Sequence, residues 1–73
     1  MPGDENITVE GVVMELLGTN LFRVGLSNGH ALFAHLSGKM RLSLVRLGVG
    51  DRVKLEVSPF DLTKGSIVFK QET

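Results

Sequence analysis

The sequence predicts a small all-β domain, and three observations lead to that prediction. Most of the 73 residues fall into short runs of alternating apolar and polar side chains, the pattern of half-buried strands. Asn28-Gly29 separates two of these runs and is the strongest short hairpin signal. Residues 35–51 abandon the alternation and carry a cluster of cations: Lys39, Arg41 and Arg46. We therefore expect a strand-rich scaffold that holds a cationic insert.

The first half of the chain predicts three strands. Residues 7–17 form the first, and Gly11 in its middle is typical of a bend that lets one strand serve both sides of a barrel. Residues 21–26 form the second strand and residues 30–36 the third, with Phe33 and His35 on the outer face. The side chains expected to face the core from these two strands are Phe22, Val24, Leu26, Leu32, Ala34 and Leu36.

The cationic insert predicts a short helix. Ser37 is a suitable N-cap, and apolar residues follow it at helical spacing: Met40, Leu44 and Leu47. Gly48 and Gly50 are expected to end this helix.

Two more strands complete the prediction. Residues 51–57 alternate cleanly, and Val53, Leu55 and Val57 are expected inside. The turn residues 58–61 then break the strand. Residues 65–70 form the last strand, with Ile67 and Phe69 expected on one face.

Five strands with a short helix between the third and fourth are the layout of a five-stranded OB-fold Greek-key barrel. Closure of a barrel removes exposed strand edges, which matters for a small chain without disulfides. We expect a single OB-fold domain over residues 1–73, with flexible tails at residues 1–6 and 71–73. An open SH3-like or mixed sheet is the rival fold, since alternation alone separates these poorly.

Composition narrows the class of protein. The chain has no cysteine, which excludes disulfides and thiolate chemistry and is compatible with a reducing cytoplasm. Its amino terminus is acidic, unlike a secretory signal, and no apolar run approaches the roughly 18 residues that span a bilayer. The net charge is zero, but residues 1–36 hold one arginine against four carboxylates, whereas residues 37–73 hold seven cations against four. Such asymmetry is compatible with a nucleic-acid partner, and a cytoplasmic protein is expected.

The sequence offers no convincing catalytic or metal site. Residues 25–29 match G-x-S-x-G, but alternating residues follow Ser27, so we expect it to open a hairpin rather than a catalytic elbow. His30 and His35 lie five apart on one predicted strand and project from opposite faces, which argues against a shared metal ion. We expect neither an enzyme nor a cofactor.

The cations favour an RNA interface more than any other site. On a helix, Lys39 and Arg46 are seven apart and share a face, while Arg41 projects elsewhere. OB-folds bind their ligands over strands two and three and the neighbouring loops. The cations that could extend the patch are Arg23, Lys64 and Lys70. On the outer face of strand three, Phe33 could stack an RNA base, and His35 is a further candidate contact whose competing interpretation is an ordinary surface histidine. Ordinary surface charge is the competing interpretation, and spacing alone leaves the two about even.

The chain resembles bacterial translation initiation factor one, the smallest initiation factor. The resemblance is carried by the run Ser37-Gly38-Lys39-Met40-Arg41 together with the run Asp61-Leu62-Thr63-Lys64-Gly65. Shorter matches, such as Asn28-Gly29-His30 and Gly50-Asp51-Arg52-Val53, extend it over nearly the whole chain.

The resemblance implies an OB-fold protein that is neither an enzyme nor dependent on a cofactor. Such a protein binds the small ribosomal subunit at the aminoacyl-tRNA site, as a monomer when free. It contacts ribosomal RNA and a neighbouring ribosomal protein, and acts with the other initiation factors to direct initiator tRNA to the peptidyl site. The residues implied as RNA contacts are Lys39, Arg41, Arg46, Arg23, His35, Lys64 and Lys70.

The chain departs from the family pattern at several places. It is neutral where members are usually basic, with Leu42 and Ser66 at positions where a cation is common and Leu44 where an aromatic is common. Two alternative functions stay open. One is a general single-stranded RNA-binding or RNA-chaperone OB domain. The other is a protein-interaction barrel that uses the exposed apolar residues Phe33, Leu42 and Leu44.

Overall fold

A computed structural model describes residues 6–43 and 46–71, and these form a closed five-stranded barrel of the OB-fold type. The elements in chain order are β1 (Ile7–Leu16), β2 (Phe22–Leu26), β3 (Ala31–Leu36), α1 (Gly38–Leu42), β4 (Arg52–Ser58) and β5 (Asp61–Gln71). Around the barrel the strands follow the order β1-β2-β3-β5-β4, and β4 pairs back onto β1. The predicted fold class is therefore confirmed, with the helix between β3 and β4.

All strand pairs are antiparallel except one. The strands β3 and β5 run parallel, and their pairing closes the barrel from Phe33 opposite Lys64 to Leu36 opposite Ile67. The β2–β3 hairpin turns at Gly29, whose φ of 87° is a backbone conformation that favours glycine. The side chain of Asn28 accepts a hydrogen bond from the His30 amide within this turn. The hairpin predicted from Asn28-Gly29 is thus confirmed.

The alternation pointed to the correct inward face in the second, third and fourth strands. The buried core consists of Val13, Phe22, Val24, Leu32, Ala34, Met40, Val53, Leu55, Val57 and Ile67. Leu26 and Leu36, also predicted to face inward, are half-buried against it. Phe33 and His35 lie on the outer face as expected.

The last strand differs from its prediction. It begins at Asp61 rather than residue 65, because a two-residue turn joins it directly to Ser58 of β4. Its register also shifts: Ile67 lies opposite Leu55, but Phe69 lies opposite Lys54. One extra residue in β5 turns Phe69 outward, as a β-bulge does, so the prediction that Ile67 and Phe69 share a face is wrong.

The helix is shorter than predicted. Its N-cap is Ser37 as expected, with the Ser37 hydroxyl accepting from the Met40 amide at 3.3 Å. It ends at Leu42, not before Gly48, since the hydroxyl and amide of Ser43 both bond to the Lys39 carbonyl and close the last turn. Leu47 lies outside the helix, half-buried against the core.

Some of the sequence-based expectations fall outside the described residues. Leu44, the tail at residues 1–5, and residues 72–73 all do so. Gln71, assigned to a tail by the sequence, is part of β5. Among the described residues, no helix is long and apolar enough to cross a membrane.

Gly11, where a bend in β1 was expected, lies in both the β1–β2 and the β1–β4 pairings and generates a stability prediction. A Cβ on Gly11 would lie 2.5 Å from Val24 Cγ1 and 2.9 Å from the Gly25 carbonyl oxygen. Val24 is fully buried and the carbonyl belongs to the β1–β2 ladder, so neither can move freely. Gly11→Ala should therefore lower the free energy of unfolding by about 1–3 kcal/mol, measured by urea denaturation.

Gly25→Ala is the matched control, since both glycines lie in paired strands. The new Cβ would meet only the side chain of Met14, with the sulfur at 2.5 Å. Met14 is 53% exposed and flexible, so it can move away. Gly25→Ala should leave stability unchanged or raise it slightly. Equal losses for the two variants would show that Gly11 is not a close-packed position.

Candidate nucleic-acid interface

Three predicted site residues form one row across the outer face of the barrel. Arg23 of β2 lies opposite Phe33 of β3, and Phe33 lies opposite Lys64 of β5. Neighbouring strands are about 4.8 Å apart, so an aromatic ring stands between two cations roughly 10 Å apart. Phe33 is 51% exposed, and both cations are exposed. The row presents a stacking surface with a positive charge on each side.

A second row lies nearer to the helix, and it contains polar residues and a carboxylate instead of an aromatic ring between cations. His35 of β3 is opposite Ser66 of β5, which in turn is opposite Glu56 of β4. The Ser66 hydroxyl and His35 Nε2 are 3.1 Å apart, within hydrogen-bonding distance. Ser66 is half-buried in this contact, and Glu56 places a carboxylate at the far end of the row. This contact holds His35 between the row of Arg23, Phe33 and Lys64 and the helix.

The helix α1 adds two more exposed cations, Lys39 and Arg41. Met40 between them is buried in the core and fixes the helix to the end of the barrel where β3 terminates. Leu42, in the same helix, is 87% exposed. The predicted helical pairing of Lys39 with Arg46 is wrong, because the helix ends before Arg46.

The entry into the helix is fixed by a residue that the sequence did not single out. The side-chain oxygen of Asn20 accepts a hydrogen bond from the Leu36 amide at 2.9 Å. One residue later, the Ser37 amide donates to the Ile67 carbonyl at 3.0 Å, which continues the β3–β5 pairing into the N-cap. In the sequence Asn20 is part of a turn cluster, and no local pattern indicates its partner sixteen residues away.

The start of β5, which leads to Lys64, is ordered by Asp61. The Thr63 hydroxyl and the Thr63 amide both donate to the Asp61 carboxylate. These two hydrogen bonds, together with the charge of nearby Lys64, lower the pKa of Asp61 below its ordinary value. The carboxylate therefore stays ionised to lower pH than usual and keeps the first residues of β5 in place.

Arg46 and Lys70 lie at the same end of the barrel as the helix. Arg46 is exposed, and its carbonyl oxygen accepts a hydrogen bond from Lys70 Nζ at 3.1 Å. The same Nζ is 3.7 Å from Asp51 Oδ2. Lys70 is therefore engaged within the protein, as is His35 through its contact with Ser66.

Ser27 and His30, which the sequence analysis considered for catalysis and metal binding, have structural roles. Ser27 lies in the β2–β3 turn, as expected. His30 Nε2 is within hydrogen-bonding distance, 3.2 Å, of the Leu62 carbonyl and so ties that turn to the start of β5. Within residues 6–43 and 46–71, no group of three or more potential metal ligands comes together.

Comparison with known proteins gives the family. A family profile for translation initiation factor 1A / IF-1 matches residues 1–73. The chain belongs to this family. The barrel with its exposed cationic face is therefore the scaffold of a translation initiation factor, a kind of protein that is not enzymatic.

Solved structures agree with this assignment. The chain is similar to the solution structure of translation initiation factor one from the Wolbachia endosymbiont strain TRS of Brugia malayi. The two share 41% sequence identity with a TM-score of 0.78, over 93% of this chain and 80% of that one. The chain is also similar to part of YjeQ from Thermotoga maritima, at 27% identity and a TM-score of 0.73. That match covers 90% of this chain but 23% of the YjeQ chain.

Proposed function

We propose that this initiation factor binds the small ribosomal subunit at the aminoacyl-tRNA site. There it contacts ribosomal RNA and a neighbouring ribosomal protein, and acts with the other initiation factors to direct initiator tRNA to the peptidyl site. It works as a single OB domain in the cytoplasm, monomeric when free, by occupying the site rather than by catalysing a reaction. The observation that carries the proposal is the row of Arg23, Phe33 and Lys64.

The row suits an unstacked RNA base with its flanking phosphates. Phe33 offers a ring face on which any base can stack, and Arg23 and Lys64 stand on each side of it to meet the backbone. Lys39 and Arg41 extend the positive surface from the strands onto the helix, with His35 between them and the row. Arg46 adds a further cation at the end of the barrel that carries the helix. In this proposal these residues hold RNA near the decoding bases.

A protein contact fits beside the RNA contact. Leu42 is almost fully exposed on the helix, next to the cations rather than apart from them. An apolar side chain in that place suits the neighbouring ribosomal protein better than a phosphate. A pure protein-interaction barrel is less well supported, because the exposed Phe33 stands between cations. A general RNA chaperone would use the same face without a preference for the ribosome.

The site and its occupant are tested by titration onto isolated bacterial small ribosomal subunits. The proposal expects tight one-to-one binding that tRNA at the aminoacyl site competes away. Binding to free single-stranded RNA should be much weaker. Equal affinity for subunits and free RNA would favour the chaperone instead.

The helix and loop cations predict a specific salt dependence. Changing Lys39, Arg41 and Arg46 together to Ala should weaken subunit binding and flatten the plot of log affinity against log salt concentration. The slope should fall by about 0.7 for each cation–phosphate interaction that the substitutions remove. Thermal melting should show that the variant remains folded, because all three side chains are exposed.

The matched control removes two cations from the opposite side of the barrel. Arg52 and Lys54 lie on β4, where Lys54 pairs with Glu10 and its Nζ lies 5.8 Å from the centre of the Phe69 ring. Changing both to Ala should leave the salt slope unchanged. If both variants lower the slope equally, binding depends on overall charge rather than on the proposed face.

Phe33 gives a second prediction, for which the chain supplies a control with the same exposure. Phe33 and Phe69 are both 51% exposed on outer strand faces, but only Phe33 lies in the cationic row. Phe33→Ala should weaken binding by roughly 1–3 kcal/mol if a base stacks on the ring. Phe69→Ala should have little effect on binding. A large fall in melting temperature with unchanged affinity for Phe33→Ala would place that ring in a structural role.

A further inference from the structure

The loop that carries Arg46 must be held in place by contacts beyond helix and strand. Residues 46–51 follow the helix and precede β4, without regular secondary structure of their own. A cation on such a loop binds well only if the loop is ordered before RNA arrives, since ordering it on binding costs affinity. The structure shows how that order is achieved.

Asp51 closes the end of this loop next to β4. Its carboxylate accepts a hydrogen bond from the Gly48 amide at 2.8 Å, and its own amide donates to the Gly48 carbonyl at 3.1 Å. Gly50 takes a φ of 97° to complete the turn. Two further backbone bonds, Gly50 N–H to the Val13 carbonyl and Val13 N–H to the Asp51 carbonyl, join the turn to β1.

Lys70 connects the two ends of the loop. Its Nζ donates to the Arg46 carbonyl at 3.1 Å and lies 3.7 Å from Asp51 Oδ2. The side chains of Lys70 and Asp51 retain only 31% and 34% of their exposure. A single hydrogen-bonded ammonium therefore fixes the position of the Arg46 backbone relative to Asp51.

The bulge in β5 is what brings Lys70 there. With regular alternation after the buried Ile67, Phe69 would face inward and Lys70 outward. The register shift reverses both residues, so Phe69 faces out and Lys70 lies opposite the buried Val53. Lys70 consequently reaches over the end of the barrel toward the loop instead of extending from the outer face.

We infer that Lys70 and Asp51 are positioning residues that hold Arg46 for RNA binding, and that Lys70 is not itself an RNA contact. This inference rests on the proposed function, in which Arg46 meets RNA. We call the two residues the Asp51–Lys70 latch. It gives a specific role to a carboxylate, Asp51, that lies close to the cationic surface and would otherwise oppose an RNA ligand.

Asp51→Asn distinguishes the latch from a direct contact between Lys70 and RNA. The two interpretations predict changes in binding affinity of opposite sign. The amide oxygen of Asn still accepts from Gly48, so the turn is kept while the ion pair with Lys70 is removed. If Lys70 were an RNA contact, removing a nearby negative charge would strengthen binding. The latch instead predicts that Asp51→Asn weakens binding to small subunits by about two- to fivefold, in line with a partly exposed ion pair. Unchanged or stronger binding would overturn the inference.

A double-mutant cycle with Arg46 completes the test. Lys70→Met should weaken binding in the wild-type background and have no further effect in the Arg46→Ala background. Equal losses in both backgrounds, each lowering the salt slope by about 0.7, would show that Lys70 contacts phosphate directly and overturn the latch alone. No loss for Arg46→Ala by itself would overturn the proposed role of Arg46 and the latch with it.

Lys70→Arg, which keeps the charge and the hydrogen-bond donor, should bind as tightly as the wild type. Weak binding of this variant contradicts the latch. Melting curves verify folding, and Asp51→Asn decides the matter if Lys70→Met is unfolded.

Discussion

The parallel pairing of β3 with β5 is the interaction on which both the barrel and its candidate interface depend. It joins strands that are distant in sequence and leaves none of the five strands without a partner on both sides. Because the register sets Phe33 beside Lys64, it also creates the cationic row. The pairing then continues through the Ser37 amide into the helix N-cap. In a chain of 73 residues without disulfides, closure of the barrel and the geometry of the candidate interface thus rest on the same hydrogen bonds.

Sequence patterns predicted most of the fold because alternation is a local property. Strands β1 to β4, the hairpin at Gly29, the Ser37 cap and the outward position of Phe33 all follow from neighbouring residues. The bulge in β5 was missed because it depends on pairing with β4, and nothing near Val68 distinguishes it from a regular strand. The helix end was also missed, since Leu44 and Leu47 extend the apolar spacing beyond the point where Ser43 closes the turn.

The candidate site was predictable as a set of residue types more than as a geometry. The non-alternating segment pointed to Lys39, Arg41 and Arg46, and strand parity placed Arg23 and Phe33 correctly on the outer face. Lys70 shows the limit of this reasoning, because one inserted residue in β5 changed the direction of its side chain. Asn20 and Asp51 are further residues whose roles could not be predicted from the sequence. Their roles depend on partners that only the folded chain brings near, namely the Leu36 amide and the Lys70 ammonium.

Two positions at which the family resemblance leads us to expect a cation, Leu42 and Ser66, lie in different environments. Leu42 is exposed at the rim, so its apolar side chain changes what that surface can contact. Ser66 is half-buried against His35, so it changes how a neighbouring residue is held. In the proposed function, the two residues therefore affect the candidate interface in different ways.

In the proposed function, the face formed by β2, β3, β5 and the helix is turned toward ribosomal RNA. The absence of cysteine allows a direct measurement, since a single introduced cysteine is then the only attachment point for chelated iron. Hydroxyl radicals from Leu42→Cys, on the helix, should cleave small-subunit RNA around the aminoacyl-tRNA site. Radicals from Glu10→Cys, exposed on the opposite side where β1 pairs with β4, should cleave those nucleotides weakly or not at all. Strong cleavage there from position 10 with none from position 42 would contradict the account.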